Sequence, residues 1–202
     1  MDRSTRERLL DAGLRLFAER GFRGTTVGDI EAAAGLAPRS GALYKHFSSK
    51  RELLAAAVER YIHEVRTIGD VTALMPLGDV RAEMTLLARW VLQQLDREHD
   101  LVRVLEKEGD DLRELRDRVY AELVDEGYRL GVEYFRRVLE RVEGLRDVDA
   151  EALSVVALGA TAGFRRSEWT FGRRPLGLDD DRFVAALVDL LARLVETARA
   201  RG

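Results

Sequence analysis

Three stretches early in this 202-residue chain carry the signature of a helix N-terminus, and their close spacing limits the fold more than any other feature. In Ser4-Thr5-Arg6-Glu7, a serine hydroxyl can accept from a free backbone N–H while the glutamate reaches back, forming a capping box. Thr26-Val27-Gly28-Asp29 repeats the signal with aspartate for glutamate, and Ser49-Lys50-Arg51-Glu52 gives it a third time. The first helix puts Leu10, Leu14 or Gly13, and Phe17 on one face and stops at Gly21. The second carries Val27, Ile30 and Ala33 or Ala34 and stops at Gly35, while the third buries Leu53, Leu54, Ala57, Val58 and Tyr61. Only three prolines interrupt the chain, which favours long helices.

Between the second and third starts lies AGLAPRSGALYKHF (34–47), with two glycines, a proline and a cluster of hydrogen-bond donors. Pro38 is tolerated at or before a first helical turn, Ser40 can cap, and residues 41–47 are expected to form one more short helix, with Phe47 in the core. The result is helix, tight turn, helix. In such a pair the second helix can enter the major groove of DNA while neighbouring groups hold phosphates. Arg39 and Lys45 suit phosphate or guanine, Ser40 suits either, and Ala42 suits a thymine methyl. Tyr44 and His46 can donate to phosphate oxygens, and the helix starts at Thr26 and Ser49 carry partial positive charge. On residues alone, a plain helical corner with solvated basic residues stands beside this reading, Lys50 and Arg51 included.

Charge is unevenly placed. Residues 1–66 hold 12 Lys and Arg against 9 Asp and Glu, and the remainder holds 21 against 27, so a basic head sits on an acidic body. With no cysteine there is neither a disulfide framework nor a thiolate metal site. The chain also lacks a long apolar run and an apolar leader, so the cytosol is the expected compartment. Catalytic signatures are missing: there is no Gly-x-Ser-x-Gly, no phosphate-binding Gly-x-x-x-x-Gly-Lys loop and no His-Glu-x-x-His. Asp96-x-x-His99 is a single weak imitation of a di-metal motif that needs a second copy. These absences argue against an enzyme and give no reason to expect a cofactor.

The run TTVGDIEAAAGLAPRSGALYKHFSSKRELLAAA (25–57) closely resembles the DNA-binding domain of the TetR family of bacterial transcriptional regulators. The matching features are the threonine pair, the Ala-Gly turn, Gly-x-Leu-Tyr-x-His-Phe, and Ser-Lys-x-x-Leu-Leu opening a fourth helix. One departure is present: two residues more than the family's usual turn separate Gly35 from Tyr44, and aligning back from Tyr44 leaves Ala37 and Pro38 as the extra pair. The resemblance implies a DNA-binding dimer. Its contacts would come from Thr26, Arg39, Ser40, Gly41, Ala42, Tyr44, Lys45, His46 and Lys50.

The expected fold is all-α with about nine helices. Residues 1–66 form a helix-turn-helix domain, with the motif at about 26–47 and a fourth helix from 49. Residues 67–202 form a larger helical domain for effector binding and dimerisation. There, Asp79 opens a helix through Leu86, Trp90 and Leu95, a shorter one follows across Leu101 to Leu105, and a long two-faced pattern runs from 111 to 142. Gly127 and Gly131 lie inside that pattern, where they permit close packing or leave space. The small-residue segment LGATAG (158–163) marks the next helix, and the last runs from Asp180 or Asp181. The resemblance implies that these two pair with a second copy as a four-helix bundle, through Gly159, Gly163, Phe183, Leu187, Leu190 and Leu194. Trp90, Tyr120, Tyr128, Phe135, Phe164 and Trp169 can line an apolar pocket for a small hydrophobic or amphipathic effector, with residues such as Arg165 as polar anchors. The implied function is a ligand-responsive regulator, a repressor released from operator DNA by its effector. The alternative is a helical dimer whose reading head is silent.

Overall fold

The computed structural model describes residues 4–72, 75, 78–108, 112–141, 145 and 148–199, with backbone alone at 68, 70–72, 194 and 196–199. Among these the chain is helical, without strands: α1 Thr5–Arg20, α2 Val27–Ala33, α3 Lys50–Thr72, α4 Val80–Lys107, α5 Arg113–Val119, α6 Asp125–Glu140, α7 Ala150–Phe171 and α8 Asp180–Arg199. A π turn at Tyr120–Val124 joins α5 and α6 into one rod, as the long two-faced pattern implied. The helices expected from Asp79 and across Leu101–Leu105 are a single one, α4, because the residues between Leu95 and Leu101 include neither glycine nor proline. The chain divides into two compact units: Met1–Glu64 with Glu98–Leu123, and Val65–Arg97 with Val124–Gly202.

In the first unit, both expected boxes at Ser4–Glu7 and Thr26–Asp29 form in full. The third is altered: Ser49 Oγ accepts from Glu52 N–H, but the Glu52 carboxylate accepts from the N–H and hydroxyl of Ser48 instead of Ser49. The apolar stripes of α1, α2 and α3 meet, and Leu10, Phe17, Ile30, Leu53, Leu54 and Val58 are all buried. Each such side chain contributes roughly 1.5–3 kcal/mol by leaving water. The segment 112–123 adds Leu112, Val119 and Leu123 to this unit's buried residues, whereas Tyr120 is exposed.

The second unit is centred on Met84, Leu92, Phe135, Val138, Phe164, Val184, Val188 and Leu191, contributed by α4, α6, α7 and α8. Helices α6 and α7 approach closely at Gly131: a Cβ there would lie 2.3 Å from Ser154 Oγ, whose hydroxyl donates to Tyr128 O at 2.9 Å. Gly127 has nothing within 4 Å of its would-be Cβ. The two glycines therefore predict opposite outcomes in thermal unfolding. Gly127→Ala gains helix propensity unopposed and should stabilise by about 0.5–1 kcal/mol. Gly131→Ala displaces the Ser154 hydroxyl from its bond to Tyr128 O and should destabilise by about 1–3 kcal/mol.

A buried arginine fastens three elements of this unit. Arg165 on α7, only 3% exposed, reaches Asp96 of α4 at 2.8 and 3.0 Å and Asp180 at the start of α8 with two bonds of 2.9 Å. Glu168 approaches the same guanidinium at 3.3 Å, and Arg174 bonds both Glu168 and Asp180. The expectation that Arg165 anchors a ligand is thereby corrected, because both terminal nitrogens of its guanidinium bond protein carboxylates.

Candidate nucleic-acid interface

Thr26 caps α2 through Asp29, whose carboxyl is held below the usual carboxylate range, chiefly by the hydrogen bond from the Thr26 hydroxyl. Helix α2 ends with Gly35 at φ 73°, and the chain then turns through Ala37-Pro38-Arg39-Ser40, where Ser40 N–H donates to Ala37 O at 3.3 Å. Pro38 occupies the second position of that turn and Arg39 the third, with φ 60°, the left-handed geometry that a type II turn demands and that glycine usually supplies. The Arg39 side chain runs across the start of α2: its Cγ would lie 3.3 Å from a Cβ placed on Gly28, and its charge helps to lower the Asp29 pKa.

Gly41 follows at φ 72°, so it cannot open a helix, and the helix expected over 41–47 shrinks to one 3₁₀ turn, Leu43–Lys45. Its amides bond three residues back, Tyr44 to Gly41 O and Lys45 to Ala42 O, and only Phe47 N–H reaches four residues back, to Leu43 O. Leu43 and Phe47 are buried and anchor the turn, as expected for Phe47. Tyr44, 60% exposed, and exposed Lys45 and His46 then project outward beside Ser40 and half-exposed Ala42.

What supports this turn is not visible in the sequence pattern. Glu31 on α2 has no exposed surface, and its carboxylate accepts the N–H groups of Ser40 at 3.1 Å and Leu43 at 3.0 Å. A glutamate among alanines reads as a surface residue, so only the lack of a free helical face at position 31 could have signalled it.

Lys50 departs from its expected role as a DNA contact. Its ammonium turns inward, donating to Phe22 O at 2.7 Å and Thr25 O at 2.5 Å, and sits 4.7 Å from the centre of the Phe22 ring. Burial pushes its pKa down, with Glu108 pulling the other way. Glu108 accepts the Phe22 N–H at 3.1 Å, and Lys107 donates to Ala18 O and Glu19 O, so the end of α4 and Lys50 together hold the loop between α1 and α2.

In the second unit, the expected pocket residues do not share one wall. Phe135 and Phe164 are buried in the core, Trp90, Tyr128 and Trp169 are half-buried, and Tyr120 is 63% exposed and belongs to the first unit. An open groove of about 430 Å³ is lined instead by Arg136, Leu139, Glu140, Val148 and Ala150, none of them anticipated. Of the expected dimer contacts, Phe183 stacks on Phe164 with ring centres 4.3 Å apart, and Leu187 packs half-buried on the same core, so both face inward. The Leu194 side chain lies outside the described residues. Gly159 and Gly163 are exposed on one stripe of α7 with Ala152, Val155, Val156 and Ala160, and Leu190 is exposed on α8.

The family profile described as bacterial regulatory proteins, tetR family, matches residues 9–57. The chain is 36% identical over 104 residues to the HTH-type transcriptional repressor KstR2 of Rhodococcus jostii, a likeness that covers 51% of this chain and 49% of that protein. To KstR2 of Mycobacterium tuberculosis it is 42% identical over 74 residues, 35% of this chain and 36% of the relative. The chain thus spans about half the length, or less, of these curated relatives. Among solved structures, a transcriptional regulator from Aquifex aeolicus VF5 superposes with a TM-score of 0.64 at 23% identity, over 95% of this chain and 99% of that one. A gamma-butyrolactone receptor superposes with a TM-score of 0.66 at 22% identity, over 98% and 92%. At such identity the likeness is one of fold.

Proposed function

Because this chain belongs to the TetR family of bacterial transcriptional regulators, we propose that it acts as an effector-controlled DNA-binding repressor, working as a homodimer in the cytoplasm. The observation that carries the reading is the turn at residues 39–46, where buried Leu43 and Phe47 aim Tyr44, Lys45 and His46 outward beside Arg39, Ser40 and Ala42. Short, anchored and rich in donors, it fits a major groove, with Lys45, Tyr44 and His46 on phosphates and Arg39, Ser40 and Ala42 near base edges. Thr26 adds the capped start of α2 to the phosphate-facing set. Gly41 supplies the bend.

The exposed α7 stripe of Ala152, Val155, Val156, Gly159, Ala160 and Gly163 supports pairing with a second copy, joined by Leu190 of α8. Residues of this size let two helices approach closely, and two heads are what paired half-sites require. The effector is a small hydrophobic or amphipathic molecule held by the second unit, in keeping with its core aromatics Phe135 and Phe164 and the half-buried Trp90, Tyr128 and Trp169. Its control over DNA is set by its differential affinity for the two states, typically about 1–3 kcal/mol.

Fluorescence anisotropy with DNA flanking the protein's own gene, against random duplex at several salt concentrations, tests the reading. Specific binding that falls steeply with salt supports it. Absence of binding to any duplex at low salt favours a helical ligand-binding dimer with a silent head. Lys45→Ala and Tyr44→Phe are expected to weaken operator and random DNA alike, and Lys45→Ala should reduce the salt slope by about one. Arg39→Ala is expected to change base preference. Uniform weakening would remove Arg39 from base reading.

A further inference from the structure

We propose that Glu31 is the positioning residue of the reading turn: one buried carboxylate on α2 holds the two backbone amides, Ser40 and Leu43, that flank its entry. This inference rests on the DNA-binding reading. A carboxylate with no exposed surface is costly unless its oxygens are satisfied, and here each oxygen takes one N–H, at 3.1 and 3.0 Å. Such charge-assisted bonds are stronger and more directional than neutral ones.

What they hold would otherwise be loosely fixed. Between Gly35 and Tyr44 the chain passes through three left-handed residues, Gly35, Arg39 and Gly41, and Arg39 lacks glycine's freedom to adopt that geometry. Among the described residues, Ser40 N–H has apart from Glu31 only the 3.3 Å bond to Ala37 O, and Ala42 N–H only a 3.3 Å bond to the Ser40 hydroxyl. Glu31 clamps the segment on both sides of Gly41. Its bonds on either side of Gly41 fix Arg39, Ser40 and Ala42, the residues set near base edges, while Tyr44 and Lys45 stay anchored through the buried Leu43 and Phe47. The carboxylate never touches DNA itself. It selects which of the turn's accessible shapes is presented.

The test uses the full-length protein with two probes: a duplex enriched from a randomised library by the wild type, and an unselected duplex. Glu31→Gln replaces one acceptor oxygen with an NH₂ facing a backbone donor, so one clamp becomes a repulsion. Expected are a loss of about tenfold or more in affinity for the enriched duplex, the size of one lost charged hydrogen bond, and affinity for the unselected duplex within about twofold. Amide hydrogen exchange at Ser40 and Leu43 should accelerate about tenfold or more in the variant while α1 amides stay protected. Equal losses on both duplexes, or unchanged enriched-duplex affinity, would overturn the proposal. So would Ser40 and Leu43 amides of the wild type exchanging as fast as open loop. If Glu31→Gln does not fold, Glu31→Asp, too short to reach both amides, is read by the same criteria. A wild type that enriches no sequence fails earlier and identifies the DNA-binding reading itself as wrong.

Discussion

Replacing Arg165 with methionine is expected to cost the second unit about 3 kcal/mol at pH 7. Methionine fills much the same slot but leaves Asp96, Asp180 and Glu168 facing one another without the guanidinium that joins them. Removing one partner of a buried pair typically costs about 3–5 kcal/mol, and the lower end applies because the three carboxylates are themselves partly exposed. For a chain of this length the melting midpoint should fall by roughly 6–12 °C. The pH dependence has a definite sign. Asp180 lies below its ordinary value of 3.8, chiefly through hydrogen bonds from Arg165, so it supports folding above that value and loses the support as pH falls through its lower folded pKa. Asp96 is displaced upward by burial, against the attraction of Arg165, so its ionised form opposes folding near neutrality and protonation relieves it. Without Arg165, Asp96 and Asp180 lose the charge that draws their carboxyls down, and acidification neutralises the repulsion that remains. Denaturant unfolding at pH 7 and at about pH 4.5 should therefore show the deficit of the variant shrinking with acid. An equal deficit at both values would mean that lost packing, not charge, is responsible.

The second large effect concerns the two residues by which the turn exceeds the usual length in the TetR family it resembles. Deleting Ala37 and Pro38 restores that length, yet operator affinity is expected to collapse by about a thousandfold, toward the level of random DNA. The deletion removes the type II turn that carries Arg39 left-handed and draws Ser40 away from Glu31. Glu31 would then be buried without its full set of donors. Anisotropy on operator and random duplexes measures the outcome directly, and retained operator affinity would show that the pair is only a spacer. Pairing the deletion with Glu31→Ala should recover part of the loss, since the shortened turn no longer needs the carboxylate and the cost of burying it disappears.

Local chemistry was the legible part of this molecule. Ser4 and Glu7, Thr26 and Asp29, and the apolar spacing of α1 to α3 are short-range signals, and each appears where the pattern placed it. Errors arose where a residue's role depends on something distant in sequence. The neighbours of Gly41 favour a helix, while its left-handed geometry follows from the turn before it. Lys50 sits beside the reading turn in sequence, yet carbonyls of Phe22 and Thr25 hold its ammonium. Phe183 lies on an apolar stripe that spacing alone could not divide into inward and outward halves, and its ring stacks on Phe164. Glu31 and Arg165 share the deepest difficulty. A buried charge is visible in sequence only through its partners, and these lie up to 12 residues away for Glu31 and up to 69 for Arg165.

The contact at Gly131 also bears on how sequences of this kind can change over generations. With Ser154 Oγ standing where a Cβ would go, a carbon gained at position 131 displaces that hydroxyl and costs stability. Ser154 in turn is tied to the Tyr128 carbonyl, which also serves the backbone ladder of α6, so losing the hydroxyl costs one bond and strands no acceptor. The two sites are expected to drift together, and a descendant that enlarges the first loses least if it has emptied the second beforehand. A spacing between two helices has thereby become an order of inheritance.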